Sequence, residues 1–370
     1  MALRKFICIL ILAALTATAY GANEIVVLDA ADGSPLAGAS VISSEGLIVG
    51  FSDGYGRLSA EDKDFPLSVR SIGYEAREVA EPCDTIMLQP ATYMLSELVI
   101  SPIDRPITRV VAFAREYCSG STSTDTFQLF CEYMLEFFYA DGKVKGYSKS
   151  DENATVIAVR RYGRTSNSHG LDSIMRPRYD DDISTLSFLT NMAFVPYKDR
   201  EETEAIKGGA MVDTLQGKYY PKQILRKGTT LFTVEGDMLA DYKDHRWSPW
   251  FFKLFGLTTE LQEANWTLAY ALNDSGTYSL YDFIGGTYNM QMLGKGKIIK
   301  KIFRSSSPIG MNCMLDLYPS AIERLTVEEY KALKKDHSRR EPFNIPANVR
   351  PLPPYIDNLV KRVDSELERQ

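Results

Sequence analysis

The stretch Phe51-Ser-Asp-Gly-Tyr-Gly-Arg-Leu-Ser59 decides how the first part of this chain is read. An apolar arm, LIVGF at Leu47–Phe51, runs into it, and RLSA at Arg57–Ala60 runs out. Between the arms, Gly54 and Gly56 tolerate positive φ, and the Asp53 carboxylate can accept backbone N–H groups across the turn. An Asp-Gly reversal between two strand-like arms predicts a hairpin. Upstream, Ile25–Leu28 reads as a short strand, Asp29–Pro35 as a turn cluster and Ala39–Ile42 as the next strand. Downstream, Leu67–Ser71 is a strand that ends at Ile72-Gly73-Tyr74, with Gly73 as its turn residue. Thr85–Leu88 and Leu98–Ile100 complete the set. About seven short strands with turn residues between them predict an all-β sandwich over residues 24–101.

Taken in order, the blocks VVLDAADGSPLAGASV, SDGYGRLS, LSVRSIGYEAREV, DTIMLQP and LSELVIS resemble a carboxypeptidase-regulatory-like domain. Asp53 and Gly56 fall on that family's Thr-Asp-x-x-Gly turn, with Ser52 in the place of Thr. Ile72, Gly73, Tyr74 and Glu75 fall on its Gly-Tyr strand end, and Leu95–Ile100 on its Leu-x-Glu-Val-Val exit strand. The resemblance implies a transthyretin-like, seven-stranded sandwich. Such modules precede TonB-dependent glycan transporters and occur in many Gram-negative envelope proteins, where they are accessory rather than catalytic. Zinc peptidase chemistry is not implied. It needs His and Glu ligands at short helical spacing, and none of His169, His245 and His337 lies in a His-Glu-x-x-His or His-x-x-Glu pattern.

Composition narrows the function classes. The formal net charge is −6, so the basic excess of a nucleic-acid binder is missing. Residues 1–22 read as a secretory signal peptide: Arg4 and Lys5, then the apolar run Phe6–Leu15, then small residues. This predicts an exported protein, periplasmic or associated with the outer membrane. No later run reaches the ~20 apolar residues of a spanning helix, so only peripheral membrane contact is expected. Beyond the leader stand Cys83, Cys118, Cys131 and Cys313. Four cysteines allow about three connectivities. Cys118 with Cys131 is the pairing that neighbouring predicted elements favour, and buried free thiols are the equal alternative. No metal or cofactor motif is present.

Beyond a Pro-containing linker, residues 106–338 predict an α+β domain with a curved antiparallel sheet and a few helices, which makes the whole chain mainly β. Ile107, Val110, Val111, Ala114, Tyr117 and Cys118 recur at helical spacing and predict an amphipathic helix. Phe127–Tyr139 alternates as a long strand. Asp141-Gly142 predicts a hairpin returning through Val144–Ser148. Further strands are expected at Val156–Arg161, Leu231–Val234, Glu263–Leu272, Tyr278–Phe283 and Thr287–Leu293. Asp180–Asp182 reads as a solvated acidic loop. Trp247, Trp250, Phe251 and Phe255 crowd one segment, which reads as a helix plugging the concave face of the sheet; the sharper reading is a ligand or membrane contact. Thr326 is an N-cap for a helix over Val327–Ser338. In residues 339–370, a Pro-rich segment leads to a helix over Tyr355–Arg369 that packs Ile356, Leu359, Val360, Val363 and Leu367 on the body.

No nucleophile elbow, phosphate loop or dinucleotide fingerprint appears. The sequence therefore favours a non-catalytic envelope protein whose sandwich is an interaction or spacer module, its partner another envelope protein or component. A carrier of a hydrophobic ligand is the first alternative. A hydrolase with perturbed titratable groups in a cleft is the second.

Overall fold

The turn at Asp53 forms with the hydrogen bonds its composition calls for. Asp53 donates its N–H to Arg57 O at 2.8 Å, and Gly56 donates to Asp53 O at 2.9 Å. Asp53 Oδ1 accepts from the backbone N–H groups of Tyr55 and Arg57 at 2.8 and 2.9 Å. Gly56 sits at φ 74°, and a β-carbon there would stand 2.4 Å from Val27 O, so both backbone angle and space require glycine. Gly54 does not use the left-handed region.

The computed structural model describes residues 23–91, 105–122, 125–167, 173–175, 204–215, 223–240, 257–272, 278–297, 307–336 and 342–367. The leader, the strand expected at Leu98–Ile100, Asp180–Asp182, the three histidines and the aromatic segment with Trp247, Trp250, Phe251 and Phe255 lie outside these residues.

The N-terminal strands are β1 (Asn23–Asp29), β2 (Ser40–Ser43), β3 (Ile48–Phe51), β4 (Arg57–Ala60), β5 (Leu67–Arg70), β6 (Arg77–Val79) and β7 (Thr85–Leu88). They form a three-stranded sheet, β4-β1-β7, and a four-stranded sheet, β3-β2-β5-β6. The expected hairpin at FSDGYGRLS is thereby corrected: β3 and β4 belong to different sheets, and the turn carries the chain from one to the other. Ser52 makes this happen. Its buried hydroxyl accepts from Ala39 N at 2.8 Å and donates to Leu36 O at 2.6 Å. The clamp holds the end of β3 against the start of β2, while Ile25↔Leu58 registers β4 on β1. Ile25, Val27, Leu58 and Ile86 of the first sheet share one apolar cluster with Val41, Leu67 and Val69 of the second. Strand β6 carries charged, exposed residues and gives no alternating signal.

The remaining strands are β8 (Ile107–Ser121), β9 (Asp125–Ala140), β10 (Thr155–Asn167), β11 (Ser173–Met175), β12 (Val212–Leu215), β13 (Gln223–Lys227), β14 (Leu231–Asp237), β15 (Leu257–Ala271), β16 (Phe283–Gly296) and β17 (Ile309–Leu325). They make one antiparallel sheet in the order β11-β10-β9-β8-β17-β16-β15-β14-β13-β12. The helix expected from Ile107 is instead the central strand β8. Both of its faces are buried, so apolar residues occupy odd and even positions alike, and the 3–4 spacing is a by-product of that continuous run. The return through Val144–Ser148 is also corrected: those residues form a turn before a short 3-10 segment, Lys149–Glu152, and β10 is the strand that pairs with β9. Tyr278–Phe283 is no strand either, since Leu280–Asp282 is a 3-10 turn capped by Ser279 and Asp282. The long strand β17 carries Pro319 at a bulge, which hides its period.

One face of this sheet is largely apolar, with the Glu116 carboxylate buried in it and accepting from Tyr133 OH at 2.8 Å. Val110, Ala112, Leu129, Tyr133, Leu135, Leu268, Tyr288, Leu315 and Leu317 all belong to its cluster and are at most 1% exposed. The other face is mixed, with ion pairs between patches covered by the N-terminal sheets and the C-terminal segment. Among the described residues the helices are α1 (Glu204–Lys207), α2 (Val327–Lys335) and α3 (Pro354–Leu367). Thr326 caps α2 by accepting from Glu329 N, as expected. Ile356 and Leu359 of α3 pack on Phe51, Phe130 and Tyr162. Residues 342–353 cross the mixed face, where Phe343 sits edge-on to Phe113 and under the Arg160 guanidinium. Arg350 ties this strap to the carbonyls of Ser71 and Tyr74. Among the described residues, no helix is long and apolar enough to cross a membrane. All four cysteines are free thiols, and Cys118 lies directly opposite Cys313 rather than Cys131.

Candidate functional site

Where the Asp53 turn meets the ten-stranded sheet, a cleft of ≈ 640 Å³ opens. One wall is Phe51–Tyr55 with Pro35, Ala37 and Gly38; the other is β12 to β15. Register explains why polar groups converge there. Asp237 pairs with Asn265 and Glu235 with Thr267, so all four point to the mixed face, while Val234 and Leu268 point to the apolar one. Glu263 lies two residues before Asn265 on the same face.

Arg226 locks the turn to the sheet. Its Nε donates to Glu235 Oε1 at 2.8 Å, and its Nη2 donates to Gly54 O at 2.8 Å. Glu235 is 7% exposed, and its second oxygen, Oε2, is buried without a hydrogen-bond partner. Burial raises the Glu235 pKa despite the Arg226 pairing. Asn265 donates to Glu263 Oε1 at 2.7 Å, which leaves its own Oδ1 buried and unpartnered. Burial pushes Glu263 up to about 7; the Asn265 hydrogen bond opposes this, and the nearby Asp237 and Asp53 carboxylates add to it. Arg226 is the one cation among the described lining residues, against the four carboxylates Asp53, Glu235, Asp237 and Glu263. Tyr55 stands at the rim, 74% exposed. Among the described lining residues the site is thus rich in acceptors and poor in donors, with the Tyr55 ring at its rim; Trp266, between Asn265 and Thr267, turns its ring over Gly236 to the apolar face.

Of the residues singled out in the sequence, Asp53 and Gly54 line this cleft, and Gly56 shapes the turn behind it. Gly73 does other work. At φ 87° its missing β-carbon would come within 2.9 Å of Leu231 Cδ1, so it lets the N-terminal sheets abut the large one. Arg226, Glu235, Asp237, Glu263 and Asn265 were not singled out. The signal that marks some of them is the alternation in Glu263–Leu268, where every second side chain is polar. No group of three or more metal-ligating side chains occurs among the described residues.

No family model matches the chain, and no curated protein does. Among solved structures, a lipovitellin described for its lipid–protein interactions aligns at 12% identity with a TM-score of 0.28. The alignment spans 60% of this chain and 26% of that one, a likeness too slight to bear on fold or function.

Proposed function

We propose that this is an exported, non-catalytic envelope protein, in which the N-terminal sheets form a seven-stranded sandwich of the carboxypeptidase-regulatory-like kind and serve as an interaction module. In this reading the second part is an α+β body with a curved sheet, and the module's Asp53 turn works with that body. The observation that carries it is the cleft itself. Polar groups from the turn and from four strands converge on a concavity within the usual size range of ligand sites. A spacer would not need Arg226 and Glu235 to hold the turn over such a space.

The apolar face of the large sheet supports a second reading, carriage of a hydrophobic ligand, because its cluster extends from β9 to β14. A hydrolytic reading draws on Glu263, whose proton near neutral pH suits a general acid. Native mass spectrometry on protein gently extracted from its own envelope separates the first two. The expected result is a bound species that Tyr55→Ala loses. A bound lipid that Tyr55→Ala retains would overturn the interaction reading in favour of the carrier.

A further inference from the structure

Resting on the reading of the cleft as an interaction site, we propose that strand β12 takes up an extended segment of another protein as an added strand of the large sheet, and that this segment alternates apolar with basic side chains. The backbone comes first. Strand β12 ends the described sheet on one side and pairs only with β13. Met211 O accepts from Lys227 N at 2.9 Å. Bonded and unbonded pairs alternate along an antiparallel ladder. In the register Val212↔Arg226 to Leu215↔Gln223, the peptide groups of Asp213 and Leu215 therefore turn to β13. Those of Val212 and Thr214 turn outward, to a side where no described strand meets them. Outward N–H and C=O groups on a sheet edge are a template for a further strand.

The side chains come second. Val212 and its neighbour Met211 are 48% and 53% exposed. Val212 lines the cleft together with the exposed Tyr55. A strand laid on β12 would extend the floor of the cleft and bring every second side chain to the face where Val212 and Tyr55 stand. Exposed apolar groups gathered at one open edge mark an interaction surface. Charge then selects the occupant. Asp213 Oδ1 accepts from Thr214 N at 2.8 Å, and so covers an outward donor of the edge. Among the described residues no cation pairs with this carboxylate. A lysine or arginine of the incoming strand draws it away and frees Thr214 N–H for pairing; a neutral or acidic strand has no such means. A second copy of this chain is the wrong occupant. Pairing two β12 edges through Val212 and Thr214 sets the two Asp213 carboxylates opposite each other, on chains of formal charge −6 each.

Isothermal titration of the full mature chain with the blocked peptide Val-Lys-Val-Lys-Val-Lys tests the proposal. The controls are the same peptide N-methylated at its valines, and the blocked peptide Val-Ser-Val-Ser-Val-Ser. The lysine peptide should bind. The methylated peptide keeps the charge and the side chains but loses the donors that face β12, and it should bind about tenfold more weakly or worse, as should the serine peptide. Val212→Pro removes an outward N–H at an edge position that accepts proline, and should abolish binding. Asp213→Ala should let the serine peptide bind as well as the lysine peptide. It strands no partner, so it decides the matter even if Val212→Pro folds poorly. Equal binding of the methylated peptide would overturn the added strand, and so would no binding of the lysine peptide. A lysine preference that survives Asp213→Ala would overturn the selection by charge. A concentration-dependent dimer in sedimentation velocity, lost in Val212→Pro, would give the edge to a second copy instead. The interaction reading of the cleft would outlast each of these failures if Tyr55→Ala removed the native bound species.

Discussion

The two faces of the ten-stranded sheet differ in what they can tolerate. On the apolar face, side chains from β8, β9, β15, β16 and β17 meet one another with almost no exposed surface. On the mixed face, charged groups are largely buried too, but come in pairs. Arg109 meets Glu136 at 2.9 Å, Arg115 meets Glu132 at 3.2 Å, and Arg70 of β5 meets Asp316 at 3.2 Å. Polar side chains of this face also reach across to the N-terminal backbone: Asn289 donates to Gly38 O, and Asn312 to Ile48 O. The comparison teaches that burial alone does not set the chemistry of a strand face. The covering layer does. Another strand's backbone and turns offer carbonyls and guanidinium groups, so polar side chains opposite them are satisfied. The apolar cluster offers far fewer partners: the Glu116 carboxylate buried there accepts from Tyr133 OH at 2.8 Å.

The largest effect should come from breaking the apolar face. Leu315→Asp places an unpaired carboxylate at a fully buried position and should cost about 4 kcal/mol or more, enough to prevent soluble folding. A cooperative melt near that of the parent would show that this face is wet. On the mixed face, Asp316→Ala strands the Arg70 guanidinium, whose pKa burial alone would lower and Asp316 holds above its usual value. It should cost about 3 kcal/mol, while the double change Arg70→Met with Asp316→Leu should recover most of that. Chemical denaturation of the four-member cycle reads the coupling, and strictly additive losses would mean the pair contributes no docking energy.

Glu263 sharpens the comparison at the cleft. Its folded pKa, about 7, lies above the ordinary 4.5. Below pH 4.5 it is protonated whether folded or not and has no effect. As pH rises from 4.5 to 7 the unfolded chain loses the proton first, so stability falls, and the full penalty of ~3 kcal/mol is present above pH 7. Glu263→Gln should accordingly raise stability by about 2–3 kcal/mol at pH 8 and by almost nothing at pH 4; an equal gain at both would refute the protonation argument. The smallest effect is expected at the rim. Tyr55→Ala removes a side chain that is 74% exposed and should change stability by less than about 0.5 kcal/mol. A larger loss would mean that Tyr55 supports the turn rather than facing a ligand.

Much of the N-terminal part was legible because its signals are local. The Asp53 and Gly56 turn, the Asp29–Pro35 cluster and the short apolar strands each follow from residues a few positions apart. Tyr74 shows where that limit falls: its place at the strand end was readable, but its hydroxyl bond to Asp29 Oδ2 at 2.8 Å was not. In the large sheet, β9 was readable because one face holds Leu129, Cys131, Tyr133, Leu135 and Phe137 in strict alternation. Strand β8 was not, because burial on both faces erased the alternation that separates strand from helix. The cleft was half legible. Asp53 and Gly54 stood out as turn residues, whereas Glu235 and Glu263 are ordinary acids until β14 and β15 pair and bring them to the turn.

By itself, then, the sequence determined the strands whose pattern is written in neighbouring residues, the capped helix after Thr326, and the turn at Asp53. Tertiary structure alone decided that this turn joins two sheets instead of closing a hairpin, that β8 is an interior strand of a ten-stranded sheet, and that the turn overhangs three carboxylates of β14 and β15. The physical reason is the range of the forces. Backbone preference and turn hydrogen bonding act within a few residues, while the Ser52 clamp on Leu36 and Ala39, the Arg226 bridge to Gly54, and the desolvation of Glu263 exist only once distant strands are packed together.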